Sequence, residues 1–380
     1  MPVQGRDLAA LRRFNTSAVL RALRKQGPQS LTLLKETTGL SRPTVELALE
    51  ELSGQGWVAE IADAPATRSP GRPARRFRFR GEAGRVVGVD IGLHKIVLLL
   101  SDLTGEILAV ERESIDSAMD GADRLAFLRT RLERFLAGHG VHQRELWAVS
   151  VAVPGFVDEA GRVHSIVVPE WNGLDLANRL AETFRCHVVA ENDVNFAAVA
   201  EHWRGAARLA DDVACVLAGR RASCGLLLGG RLHRGRRGGA GELGTLPHLG
   251  LAAAHQALRW DGVRSGESAI EALVRAAEAE DPRALEVLDA YAARLAPGVA
   301  ALVLAVDPDL IVLCGGVTPA GRWLTPMLTR HLRDITLHVP RIAVSTLGER
   351  GVALGAVRTG LDHVDTQLTD PAGPLPSAAR

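Results

Sequence analysis

Apolar residues recur at helical spacing through the first sixty positions of the chain. In "NTSAVLRALRKQG", Val19, Leu20 and Leu23 share one face, Thr16 or Ser17 is available as a cap before them, and Gly27-Pro28 ends the run. "SLTLLKETTG" predicts a second, short helix. The third, "LSRPTVELALEELSGQGWV", has Ser41 as N-cap and a proline in the first turn, where a missing N–H does no harm; Val45, Ala48, Leu49 and Leu52 line one face, and Gly54 and Gly56 end it. The pattern then changes: "WVAEI" and "RRFRFR" read as two strands about a polar tip.

After Gly84 the periodicity becomes that of an α/β domain. "RVVGVDIG", "KIVLLLSDLTG" and "EILAVERESI" predict three strands joined by tight turns, followed by the helix "DRLAFLRTRLERFLAG" and the strand "LWAVSVAVPG". The plan then repeats. "VACVLAGRRASCGLLLGGRLHRG" gives paired strands, "SAIEALVRAAEAE" and "RALEVLDAYAARLAPGVAALVLA" give helices, and "DLIVLCGGV" gives a buried strand ending in two glycines. Two similar lobes with a cleft between them are expected in residues 81–380, behind a small separate domain in residues 1–80.

Composition changes this picture in three ways. A chain of 380 residues with 47% hydrophobic content can bury more than one core. Its apolar runs break before the ~20 residues of a membrane span, and "MPVQGRDLAALRR" lacks the apolar core of a signal peptide, so a cytoplasmic protein without membrane contacts is expected. Cysteines at 186, 215, 224 and 314 show no C-x2-C spacing, which argues for core residues over disulfides or a zinc site.

Charge separates the two parts. Residues 1–80 hold 14 Lys and Arg against 7 Asp and Glu, while residues 81–380 hold 31 against 37. The basic part is the one that would meet a polyanion. Helix, "TTGLS" turn, helix is the arrangement of a helix-turn-helix, in which Ser41, Arg42 and Thr44 would face base edges. A small helical bundle with a solvated polar face fits the same pattern. The following strands form a wing, and from Arg68 to Arg80 there are six arginines and no acid, a bias that phosphate contacts explain better than a solvated surface does. "PGRPARR" has a flat shape suited to a narrow A·T-rich minor groove, which puts Arg68, Arg72, Arg75 and Arg76 among the DNA-binding candidates; a stiff linker is the alternative.

These pieces, in order, carry a resemblance. "LRRFNTSAVLRAL", "TGLSRPTV", "GRPARR", "GVDIG", "VAVPGFVDEAGRV", "ENDVN", "GAGELG" and "LCGGV" resemble the ROK family of repressors and sugar kinases, and specifically its repressor branch. The resemblance implies a winged helix-turn-helix followed by a two-lobed α/β domain of the actin-like ATPase (ribonuclease H-like) fold. It places a sugar-binding amide at Asn192, the general base at Asp193 and a sugar-hydroxyl acceptor at Glu242, with Asn172 counted among the ligand-binding candidates. It also puts the phosphate and Mg²⁺ machinery at Asp90 and Gly92. A strand-ending turn and a helix cap explain the same residue types without chemistry.

Two departures from the family pattern bear on activity. The kinases have a Gly-Thr-Gly-x-Gly phosphate loop where this chain has Gly219, Arg220, Arg221, Ala222 and Ser223, so the two arginine side chains would crowd a backbone cradle. The family's Cys-rich zinc loop is replaced by "LPHLGLAAAHQALRWDGVRSGES", with Thr245 where a His is usual. No cofactor is therefore expected, neither zinc nor a productively held nucleotide, and Asp193 is expected to be a vestigial base. The expectation is a DNA-binding regulator, not an enzyme. It would bind an inverted-repeat operator with A·T-rich flanks as a homodimer or homotetramer and sense a sugar-like effector. A ligand-independent regulator and an active sugar kinase are the alternatives.

Overall fold

A computed structural model describes residues 4–61, 75–218, 222–370 and residue 378. Helix α1 (Gln4–Gln26) begins well before Asn15, so the cap expected at Thr16 or Ser17 is corrected: both are buried inside the helix. The residues ahead of them, "GRDLAALRRF", include good helix formers and no proline, and nothing stops the helix from extending upstream. The Thr16 hydroxyl instead donates to Glu51 at 3.2 Å, tying α1 to the third helix. Helix α2 (Leu31–Thr38) is capped by Ser30 and ends at Gly39, whose φ of +69° suits glycine. Helix α3 (Arg42–Gly54) has the Ser41 cap and the early proline read from the sequence. Strands β1 (Gln29–Ser30), β2 (Val58–Ile61) and β3 (Arg76–Phe79) form an antiparallel sheet in the order β1-β3-β2, which completes the winged helix.

The first lobe contains β4 (Arg85–Ile91), β5 (Lys95–Asp102), β6 (Ile107–Ser114), β7 (Leu146–Val153), the small hairpin β8 (Phe156–Val157) and β9 (Val163–His164), and β10 (His187–Asn192). Its helices are α4 (Gly121–Gly138), α5 (Leu176–Phe184) and α6 (Asp193–Arg204). The second lobe contains β11 (Val213–Leu217), β12 (Ser223–Leu228), β13 (Arg231–Leu232), β14 (Leu310–Cys314) and β15 (Arg341–Val344), with α7 (Ala269–Glu278), α8 (Pro282–Val306) and α9 (Gly321–Arg333). The sheets run β10-β7-β4-β5-β6 and β13-β12-β11-β14-β15. In each, three consecutive strands are antiparallel and two later ones add in parallel beside the first, so the internal repeat expected from the sequence is a repeat of topology. Helix α8 is long and apolar enough by composition to cross a membrane, but its Leu288, Tyr291, Leu295 and Val299 are fully buried in the core of the second lobe.

Helix α10 (Gly351–Thr369) returns to the first lobe and joins it to the winged helix. One continuous core contains Leu20, Leu23 and Phe79 of the winged helix, Val97 and Leu99 of β5, and Val357, Leu361 and Val364 of α10. Arg24 pairs with Asp365 and lies over the Phe79 ring at 4.4 Å, and Trp57 meets Trp147 edge-on at 5.3 Å. On its other side α10 packs on α6 so closely that a Cβ at Gly355 would fall 1.7 Å from the carbonyl oxygen of Phe196. Gly355→Ala, worth about 1 kcal/mol in favour of an isolated helix, is therefore expected to destabilise this protein by about 1–3 kcal/mol, the usual cost of overpacking. Urea unfolding of the variant checks the sign.

Candidate functional site

The DNA-reading candidates divide by their contacts. Ser41 accepts the Thr44 backbone N–H at 3.4 Å, and the two hydroxyl oxygens lie 2.8 Å apart, so both already serve the α3 cap. Arg42 is exposed, with Nε donating to Glu46 at 3.0 Å. Arg75 makes two hydrogen bonds to Glu60 at 2.7 and 2.6 Å, and Arg76 donates to the Pro28 carbonyl at 3.0 Å. Arg68 and Arg72 lie outside the described residues. Arg42 and Arg75 line one open groove between α3 and the wing, together with Glu46, Glu50 and Glu60. These acids were missed by reading the segment for positive charge; the signal was Glu46 and Glu50 at helical spacing from Arg42.

In the two-lobed part, strand ends deliver the polar residues. Parallel strands β4, β7 and β10 all end at one edge of the sheet, where ligands of open α/β sheets bind. Asp90 sits near the end of β4, Asn192 ends β10, and Asp193 opens α6. Asn192 is the α6 cap: its Oδ1 accepts from the N–H groups of Val194 at 2.8 Å and Asn195 at 3.2 Å. Its Nδ2 donates to the Gly155 carbonyl at 2.9 Å and to Glu242 Oε1 at 3.1 Å. One amide thus links the first lobe to the loop that follows β13. That loop is threaded tightly. Gly238 and Gly241 have φ of +80° and +85°, and a Cβ would lie 2.1 Å from the Val157 oxygen and 1.8 Å from the Cys224 oxygen respectively.

The carboxylates of this cleft are held against ionisation. Burial pushes Asp193 up to about 7, with the charges of Asp90 and Glu242 adding to the effect and the Val194 N–H opposing it. Burial also raises Asp90 to about 6, against the pull of Lys95. Glu242 is raised by burial. Asp193 accepts the N–H of Val194 at 2.8 Å through one oxygen. When ionised, Asp193 and Glu242 each offer hydrogen-bond acceptor capacity beyond the contacts they make within the protein.

The remaining candidates have structural partners. Asn172 accepts the Ser165 N–H at 2.8 Å and donates to the Ser165 carbonyl at 3.1 Å, so both ends of its amide brace the hairpin. Ser165 in turn donates to the Pro154 carbonyl at 2.5 Å, beside the Gly155 that Asn192 uses. The Gly92 N–H donates to the Lys95 carbonyl at 2.9 Å, and its own carbonyl accepts from Arg124 at 2.8 Å. Gly219, Arg220 and Arg221 lie outside the described residues. Sequence reasoning missed the supports: buried Arg124 behind the Gly92 turn, and buried Glu191, which accepts from the Asn192 N–H and from Asn195 Nδ2, both at 2.9 Å, and pairs with Arg234. Both are charged residues in otherwise ordinary segments, and only the fold reveals their burial.

The pattern of the ROK family matches residues 86–360. The chain belongs to the ROK family. The N-acetylglucosamine repressor of Escherichia coli, named in strain K12 as the DNA-binding transcriptional dual regulator NagC, is 26% identical over 93% of this chain and 90% of its own length. A glucokinase of Halalkalibacterium halodurans is 27% identical over 71% of this chain and 92% of its own length. The crystal structure of a ROK family transcriptional regulator, a homologue of the Escherichia coli MLC protein, superposes with a TM-score of 0.72 at 21% identity, covering 96% of this chain and all of that one. The winged helix and the two actin-like lobes of this ROK protein are thus arranged as one known architecture.

Proposed function

We propose that this ROK protein is a DNA-binding transcriptional regulator whose two-lobed domain binds a sugar or a related polyhydroxylated effector. The observation that carries the reading is the meeting of Asn192, Asp193 and Glu242 in a cleft of the lobe on which the winged helix is docked through one continuous core. Asn192 is satisfied within the protein and holds Glu242 in place, while the carboxyl groups of Asp193 and Glu242 keep acceptor capacity that the hydroxyls of such a ligand would fill. The regulator relatives align over nearly the whole chain, winged helix included, and support the same assignment. The operator is read as an inverted repeat with A·T-rich flanks bound by a dimer or tetramer. The stretch from Leu246 to Ser268 holds no cysteine to ligate zinc, which favours a zinc-free protein.

A screen of free and phosphorylated sugars, with and without ATP, tests this reading in two measurements on the full chain. An effector at a hundred times its Kd is expected to raise stability by about 2.7 kcal/mol and to change the affinity for the operator. No response in either measurement across the panel would favour a regulator that uses the ROK domain only for assembly.

One observation favours a second reading. An Asp193 carboxyl titrating at about 7 is poised as a general base for a sugar hydroxyl, as a sugar kinase requires. Arg220 and Arg221, in place of small residues in the phosphate loop, argue against it. A coupled ADP-release assay over the same sugars is expected to show no turnover; rates of about 1–100 s⁻¹, ordinary for kinases, would establish the second reading instead.

A further inference from the structure

The reading helix of this protein carries carboxylates where a DNA-binding surface is expected to carry cations. Along the exposed side of α3 stand Arg42, Glu46, Leu47 and Glu50. Beside phosphates an uncompensated carboxylate is repelled, so Glu46 is compatible with DNA only if its charge is matched and its oxygens find donors. The structure supplies the first condition. Glu46 accepts from Arg42 Nε at 3.0 Å, with the two side chains 50% and 71% exposed, and Arg75 of the wing lies close enough to feel its charge. As a helix-surface ion pair this contact would be worth only a few tenths of a kcal/mol.

Its geometry suits a different role. With Nε held by Glu46, the exposed guanidinium of Arg42 has its two terminal nitrogens left to donate as a fork, the edge that matches O6 and N7 of guanine in the major groove. Glu46, ionised, is acceptor-only, and the base edges that offer it a donor are the amino groups of cytosine and adenine; guanine and thymine present carbonyl oxygens that it repels. We infer that Arg42 and Glu46 act as a couple that reads two neighbouring base pairs, Arg42 selecting guanine and Glu46 selecting cytosine through its N4 amino group. Glu46 is then both the positioning residue for Arg42 and a specificity-determining residue in its own right. This assignment rests on the regulator reading above.

Base preferences are measured by selection from randomised duplexes, using the full-length wild type, Glu46→Gln, Glu46→Ala and Arg42→Ala. All three substitutions are at exposed positions of a helix whose buried face is untouched. The wild type is expected to select guanine at one position and cytosine at its neighbour. Glu46→Gln, which offers a donor as well as an acceptor and so suits the adenine edge, is expected to move the cytosine preference toward adenine by about tenfold or more, leaving the positions outside this pair unchanged. Glu46→Ala is expected to relax both positions, and Arg42→Ala to lose the guanine. A wild type with sharp preferences that survive Glu46→Gln intact would overturn the assignment of Glu46 while leaving the regulator reading in place. A wild type that binds all duplexes alike would overturn both.

Discussion

Asp193→Asn is expected to raise the stability of the ligand-free protein at pH 8 by about 2–4 kcal/mol, with the gain shrinking to under about 1 kcal/mol at pH 4. The Asp193 carboxyl titrates at about 7 in the folded protein, above the ordinary value of 3.8 that the unfolded chain approaches. The folded state therefore holds this proton more tightly than the unfolded state does. Stability from this group is fully present at low pH and is lost as pH rises from about 4 to about 7; above that, the folded protein carries a buried, crowded charge. An asparagine keeps the shape and removes the charge. Asp90, raised to about 6 by burial, ionises before Asp193, and its charge is one that an asparagine at position 193 no longer opposes. Urea titrations of both proteins from pH 4 to 8 measure it. An asparagine variant less stable than the wild type at pH 8 would mean that the carboxylate is compensated by contacts that stabilise its charged form.

Such a destabilised cluster is what a binding site retains at the expense of the fold. Hydroxyl groups donating to Asp193 favour its ionised form, so effector binding should release a proton and tighten between pH 6 and pH 8. The same substitution that stabilises the protein would weaken its ligand.

Much of this arrangement could be read from the chain because the signals were local. The Ser41 cap, Pro43 in the first turn and the apolar set Val45, Ala48, Leu49 and Leu52 fixed α3, and alternating or continuous apolar runs fixed the sheets of both lobes. The start of α1 was not legible, because Thr16 and Ser17 look like caps yet one of them spends its hydroxyl on Glu51, a contact made only in the folded domain. At the cleft, "ENDVN" pointed to Asn192 and Asp193, and "GAGELG" to Glu242, but nothing local showed that Asn192 bridges to Glu242 across 50 positions of sequence. The charged supports were illegible for the same reason. Arg124 and Glu191 sit in a helix and a strand of unexceptional pattern, and their meaning lies in burial among backbone carbonyls and side-chain amides contributed by other elements. The double role of α10 was also hidden, since its contacts with α6 and with α1 join residues far apart in the chain.

Those contacts define the expected behaviour of the switch. Asp193→Ala and Glu242→Ala should each retain operator binding in the absence of effector and lose the effector's influence on it, with effector affinity reduced by about 1–3 kcal/mol, or 5- to 150-fold. The first half follows from distance: the two residues lie in the cleft, while α3 and the wing are held by the Leu20, Leu23 and Phe79 core and by Arg24 against Asp365. The second half follows from the packing between them. Asp193 opens α6, the Phe196 carbonyl of α6 touches Gly355 of α10, and α10 carries Asp365 to the winged helix. This chain of contacts is a route from the cleft to the winged helix, and an effector changes DNA affinity only by its differential affinity for the protein's two states. If the wild type is released by effector, both variants should remain on the operator at effector concentrations that free it. Fluorescence anisotropy of a labelled operator, titrated with effector, reads this directly, and an undiminished response in both variants would place the sensor outside this cleft.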